Sequence, residues 1–274
     1  MHNHTSSLFH YTKQREYLIG ILKHGLYPNY CKEQYLGGGK DEIIGIPMVC
    51  FCDIPIMRVQ NFSGDYGKFA IAFSKDWVLK QSINPVFYVQ DDGLKKTLAF
   101  FRSIEKYFSE VIQTDEDTIK IALNIFDQQQ LNKFADFIRA ILTKHANDTL
   151  LGYVKPYKTK DDEGERINYT ECEWRYIVTE INGVKWIRGK EKYDNWRGDK
   201  SKPKPKAPKE VLVKKLTFSV DDITYLITKT EDDTRKLIQD IQNLKFICDE
   251  PIVELDKLNL VNKIISFEKI ESDF

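Results

Sequence analysis

The chain has 274 residues, 42% of them hydrophobic and 12% aromatic, enough apolar mass for a substantial core. Its 41 Lys and Arg balance 41 Asp and Glu, which excludes a protein that grips nucleic acid with a dominant basic face. No run is long and apolar enough to cross a bilayer, Met1-His2-Asn3-His4 lacks a signal peptide's apolar region, and five cysteines form no disulfide framework, so a cytoplasmic protein is expected.

Residues 7–12 read as a strand. Residues 15–24 read as a helix with Tyr17, Leu18, Ile21 and Leu22 on one side, closed by Gly25 in a left-handed conformation. Residues 26–46 form a long connection; its Gly37-Gly38-Gly39 has no following Lys-Ser/Thr and is a surface loop, not a phosphate-binding loop. Residues 48–52 are apolar throughout, as in a strand buried on both faces, and residues 69–74 and 85–89 are further strands. A short helix over 75–81 stops before Asn84-Pro85, because proline disfavours a helical predecessor.

The middle of the chain is helical in pattern. Leu131, Phe134, Ala135, Ile138, Ile141 and Leu142 make a one-sided apolar stripe, and residues 94–145 are expected as a helical insertion packed on the sheet. Strands resume at 151–154 and 170–179, with 184–187 as a hairpin partner across Asn182-Gly183. Residues 188–209 are charged. Five lysines and three prolines between Lys200 and Lys209 predict an extended, mobile loop, and without aromatic rings among those lysines a nucleic-acid contact is not expected there.

Residues 211–218 and 223–227 read as strands. Thr230, with Asp233 three residues on, starts a helix that buries Leu237, Ile238, Ile241 and Leu244, and residues 264–270 add an edge strand. Strands and helices come interspersed, so residues 1–274 are expected as one α+β domain. Its mixed central sheet should include residues 7–12, 48–52, 69–74 and 171–177.

The residues that could carry chemistry sit in the segment Glu171-Cys172-Glu173-Trp174-Arg175. On a strand Glu171, Glu173 and Arg175 share one face, with the carboxylates roughly 7 Å apart. Such a pair can hold a ribose hydroxyl and stabilise an oxocarbenium-like centre. The competing structural reading is an ion pair of Glu173 with Arg175 along that face. Cys50 and Cys52 would make a zinc site only if Cys31, Cys172 and His24 converged on them; buried, inert thiols fit better, and no metal is expected. Asp53 before Ile54-Pro55 reads as a turn or cap at the mouth of any pocket. No Ser-His-Asp order, Rossmann glycine pattern or HExxH is present.

A strand carrying His10-Tyr11-Thr12, the helix from Tyr17 to Gly25-Leu26 and the apolar strand ending at Pro55 resemble the opening of the AbiGi family. The resemblance covers residues 8–90, and more loosely 169–230. It implies the antitoxin component of an abortive-infection phage-resistance system, counteracting a co-encoded, AbiGii-like, nucleotidyltransferase-like toxin, with no cofactor. More distantly, the layout is similar to ADP-ribosyltransferase-like folds, which implies a mainly antiparallel sheet and, as the alternative function, an enzyme using NAD to modify a protein or nucleic acid. By that resemblance His10 holds the dinucleotide, Tyr66 stacks on nicotinamide (Tyr11, Tyr30 and Tyr35 being the other aromatic candidates), and Glu173, or else Glu171, binds the ribose. The Ser-Thr-Ser strand of those enzymes is absent.

Overall fold

The computed structural model describes residues 5–34, 43–56, 67–90, 96, 150, 152–161, 164–179, 184–199 and 201–273. Tyr35, the triple glycine, Tyr66, the Asn182-Gly183 turn and, but for Lys96, the insertion expected over 94–145 lie outside these residues.

The chain runs β1 (Ser7–Thr12), α1 (Arg15–His24), β2 (Asn29–Gln34), β3 (Ile43–Cys52), β4 (Phe69–Ser74), α2 (Lys75–Lys80), β5 (Asn84–Pro85) and β6 (Phe87–Val89). It continues with β7 (Val154–Pro156), β8 (Lys158–Asp161), β9 (Gly164–Ile167), a 3-10 turn (Asn168–Glu171), β10 (Glu173–Ile177) and β11 (Ile187–Arg188). Next come α3 (Lys190–Arg197), α4 (Lys209–Leu212), β12 (Ile223–Thr228) and α5 (Glu231–Gln242). The last elements are β13 (Phe246–Ile247), β14 (Glu250–Pro251), α6 (Glu254–Val261), β15 (Ile264–Ser266) and α7 (Phe267–Asp273). No described helix is long and apolar enough to cross a membrane.

Among the described residues nine strands form one sheet in the order β15-β12-β4-β1-β3-β10-β5, with β2 and β11 also pairing with β3. Every pairing in it is antiparallel except β12 with β15. The fold is therefore α+β with a mixed, mainly antiparallel sheet, and all four strands expected at its centre are there. The larger core lies on one face, where Leu8, Val49, Phe51, Ile71 and Phe73 pack against Leu18 and Leu22 of α1, Trp77 of α2 and Leu237 and Ile241 of α5. Thr230 caps α5 as its sequence promised: its hydroxyl accepts from the Asp233 amide at 3.1 Å.

Five local expectations change, one of them at residues 264–270, where the edge strand β15 ends at Ser266 and Phe267–Asp273 is the helix α7. The connection over 26–46 contains β2, which pairs along its whole length with the first half of β3. Residues 211–218 are not a strand: Pro208 opens the short helix α4, and Leu216 alone bridges, to Leu26. The segment after 184 pairs with β3 through Ile187 and Arg188, not with β10 in a hairpin. Within 188–209 the chain forms α3, whose Tyr193 and Trp196, three residues apart, pack on the β2–β3 cluster. Residues 202–208 carry neither helix nor strand.

Gly25 ends α1 at φ 85°, ψ −177°, a region essentially open only to glycine, so the left-handed closure expected there takes this extended form. A Cβ there would lie 2.5 Å from the Leu216 carbonyl oxygen, which is held by the Leu26 amide. Gly25→Ala is therefore expected to destabilise the fold by about 1–3 kcal/mol, read from the urea midpoint. A loss within measurement error would show that this closure is not strained by a side chain.

Candidate functional site

Along β10 the alternation Glu-Trp-Arg-Tyr-Ile puts Glu173, Arg175 and Ile177 on one face and Trp174 and Tyr176 on the other. The first face is buried: Glu173 is 7% exposed and Arg175 0%. Charges that deep require partners. Arg175 Nε donates to Glu173 Oε1 at 2.8 Å, and Nη2 to Glu173 Oε2 at 3.1 Å and Glu33 Oε1 at 2.9 Å. Its Nη1 donates to the Gly152 carbonyl at 2.6 Å. Lys155 Nζ reaches Glu171 Oε2 at 2.6 Å and Glu173 Oε2 at 3.0 Å. Arg166, at the rim, lies 3.9 Å from Glu171 Oε1. Three carboxylates thus face three cations, so the cluster is neutral as a whole.

Glu33 reaches this cluster because β3 is bent. Arg175 lies opposite Cys50 and Glu33 opposite Ile44, on the two sides of β3. Six residues of straight strand span about 20 Å, more than an arginine and a glutamate can bridge end to end. Pro47 lies between those two positions, opposite Tyr30 of β2. Its carbonyl accepts from the Val178 amide just past the end of β10, so its missing N–H costs no ladder bond. The concave face also brings Cys31 and Cys50 together: a thiol–thiol hydrogen bond holds Cys31 below its ordinary value and, with burial, pushes Cys50 well up.

The charges hold one another in the ionised form. Burial pushes the Glu173 carboxyl up, but Arg175 and Lys155 outweigh it and hold it at about 2. Burial opposes the charge on Lys155 and on Arg175, and the surrounding carboxylates reverse that, leaving both raised. Both Glu173 oxygens are paired with cations, which hold the carboxylate in its ionised form.

Beside the cluster opens a cleft of about 410 Å³ lined by Asp53, Lys75, Tyr88, Tyr169, Glu173 and Trp174 among others. Asp53, expected at a pocket mouth, is there: Lys75 Nζ lies 3.1 Å from its Oδ2, and Thr5 donates to its Oδ1 from both backbone and hydroxyl. Tyr169 stacks on Tyr157 and meets Tyr88 edge-on. The Tyr88 hydroxyl accepts from the Glu173 amide at 2.8 Å. Cys172 turns the chain into β10 at φ 42°, ψ 50°, a conformation non-glycine residues rarely hold.

The structure gathers some of the candidate residues and separates others. Glu171 is not on the β10 face: it ends the 3-10 turn, and it meets Glu173 through Lys155. His10 is on the other side of the sheet. Phe9, Cys52 and Glu173 are in register across three strands, so their neighbour His10 points the opposite way, into the larger core. There its Nδ1–H donates to the Cys50 carbonyl at 2.8 Å, its ring meets Phe51 edge-on, and burial holds its pKa down. His24 pairs with Asp249 at the end of α1, and among the described residues no group of three or more His, Cys, Asp or Glu could hold a metal ion.

Lys155, Glu33 and the Gly152 carbonyl escaped the sequence reading. The signal was indirect: a glutamate and an arginine alternating along a core strand demand further charged partners, but alternation does not say from where.

A family model described as "Putative abortive phage resistance protein AbiGi, antitoxin" matches residues 24–229. That span takes in β2, β3, β10 and the whole ion cluster and leaves out the first strand with His10. A relative from Lactococcus lactis subsp. cremoris, named "Abortive phage resistance protein AbiGi", is 27% identical over 237 residues, 84% of this chain and 89% of the relative. No solved structure matches the chain.

Proposed function

Because the chain belongs to the AbiGi family of abortive phage resistance proteins, described as antitoxins, we propose that it counteracts a co-encoded, nucleotidyltransferase-like toxin without catalysis of its own. The observation that carries the non-catalytic part is the closure of Glu173. Glu173, the carboxylate the transferase reading calls for first, already has both oxygens paired, with Arg175 and Lys155, and Glu171, its alternative, also pairs with Lys155. A transferase needs such a charge turned toward its substrate, and His10 lies behind the sheet from Glu173. The cluster acts as a brace that ties β10, β2 and the segment after Gly152 into one frame, and the antitoxin works through the surface of that frame.

Growth rescue on co-expression with the toxin encoded beside it tests this reading. Wild type and folded Glu173→Gln are both expected to restore growth: the glutamine gives up the stability that the carboxylate's charge contributes, but it keeps the shape and leaves Arg175 with Glu33 and Lys155 with Glu171. NAD is expected to leave the melting temperature unchanged. Failure of wild type to rescue would sink the antitoxin role. The transferase reading would be revived if NAD stabilised the protein, by about 2.7 kcal/mol at a hundredfold excess over its Kd, and folded Glu173→Gln failed to rescue.

A further inference from the structure

A second cleft, of about 750 Å³, lies between the end of α1 and the Lys/Pro segment; its walls include His24, Tyr27, Pro28, Lys206, Leu212 and Lys215. Its parts come from distant stretches of chain. The Leu26–Leu216 bridge brings the residue after it, Tyr27, beside Lys215, whose ammonium sits 5.7 Å from the centre of the tyrosine ring. The Lys/Pro segment is fastened alongside: Asn29 Nδ2 donates to the Pro205 carbonyl at 3.1 Å, Lys204 Nζ to the Tyr30 carbonyl at 3.4 Å, and Ala207 is buried.

That anchoring decides where the lysines point. Lys202, Lys204 and Lys206 alternate with Pro203 and Pro205, and all three side chains are exposed, as is Lys209. Among the described residues Lys202, Lys206 and Lys209 have no ion-pair partner. The acids nearby are Asp249, which pairs with both His24 and Lys215, the exposed Glu210, and Asp199, whose carbonyl accepts from the Lys202 amide and whose carboxylate accepts from Ser201. The surface is therefore cationic overall, and Tyr27, 45% exposed, supplies a flat ring beside the row.

We propose that this cleft and the adjoining lysines bind single-stranded nucleic acid, with a base laid against Tyr27 and neighbouring phosphates met by Lys206 and Lys202. The ring selects nucleic acid over an acidic protein segment, since a base offers it a flat face and a carboxylate does not. The row selects a polymer over a mononucleotide, because it continues beyond the cleft. A duplex is excluded from the full site, its bases being stacked inside. The sequence concealed the arrangement: the lysines have no aromatic residue among them, and the ring that serves them is held there by the fold.

The test is fluorescence anisotropy of the full chain with a labelled oligouridylate, across a salt series. Binding is expected to weaken steeply with salt. Lys202→Ser/Lys206→Ser should lower the log–log slope by about 1.4, at about 0.7 per phosphate. Tyr27→Ala should lose about tenfold in affinity at every salt concentration with the slope unchanged, while Tyr27→Phe, which keeps the ring, should bind as wild type. The proposal fails if no binding is seen at about 50 mM salt, if duplex DNA of equal length binds as well, or if Tyr27→Ala is without effect. Displacement of the oligouridylate by polyglutamate at equal charge would also overturn it and assign the surface to an acidic protein.

Discussion

Arg175→Met is expected to destabilise the protein by about 3–5 kcal/mol, a large part of the roughly 5–15 kcal/mol by which such domains are stable. The methionine fills much of the space but withdraws four hydrogen bonds, to Glu173 twice, to Glu33 and to the Gly152 carbonyl. Glu33 and the Gly152 carbonyl then lose a charged partner at the bend of β3, and Glu173 keeps only Lys155. The loss comes from stranded charge and not from lost volume, so it should be partly reversible. Adding Glu173→Gln to Arg175→Met removes one stranded charge and should recover stability, and the double-mutant cycle should give a coupling well above the value for a surface ion pair. Urea midpoints with an unchanged m-value are the measurement. If Arg175→Met lay within about 1 kcal/mol of wild type, or the cycle were additive, the cluster would not be the brace described.

Acid is expected to unfold the protein in two stages with distinct causes. The Glu173 carboxyl sits at about 2 in the folded state against an ordinary 4.5. Its stabilisation is complete above the ordinary value and is lost as pH falls through the interval between the two, amounting to about 3 kcal/mol. His10 adds an earlier stage. Burial holds its pKa below 6.5, with the Cys50 hydrogen bond opposing. The unfolded chain therefore binds the His10 proton first, and stability starts to fall as pH drops below about 6.5. Stability measured from pH 8 to pH 3 should decline slowly, then more steeply below pH 5. Glu173→Gln should flatten the lower part alone. A variant with the same acid slope as wild type would remove Glu173 as its cause.

Several elements were legible because their signals are local. The helix after residue 14, the apolar run 69–74, the strand at 223–227 and the Thr230-capped helix each carry their own periodicity or cap, and each forms where its pattern lies. The errors share a cause. β2, Asn-Tyr-Cys-Lys-Glu-Gln, is too polar to declare itself and exists because the first half of β3 offers it a ladder. Residues 211–218 are rich enough in Val, Leu and Phe for a strand, but Pro208 and the burial of Val211 turn their start into helix.

The candidate site divides along the same line. Composition, charge balance and strand alternation were enough to give an α+β chain, a sheet built on four named segments and a glutamate and an arginine on one strand face. Alternation is a property of neighbours along the chain, and it needs nothing else. Which charges would answer Glu173 and Arg175, and which face His10 would take relative to them, depended on strand register and on the bend of β3. Those are set by packing between segments more than a hundred residues apart in sequence, as when Glu33 meets Arg175. The same holds for Tyr27 and the lysines of residues 202–206. Their partnership exists only because α1 ends beside the chain entering β12, and no local pattern of side chains encodes that meeting.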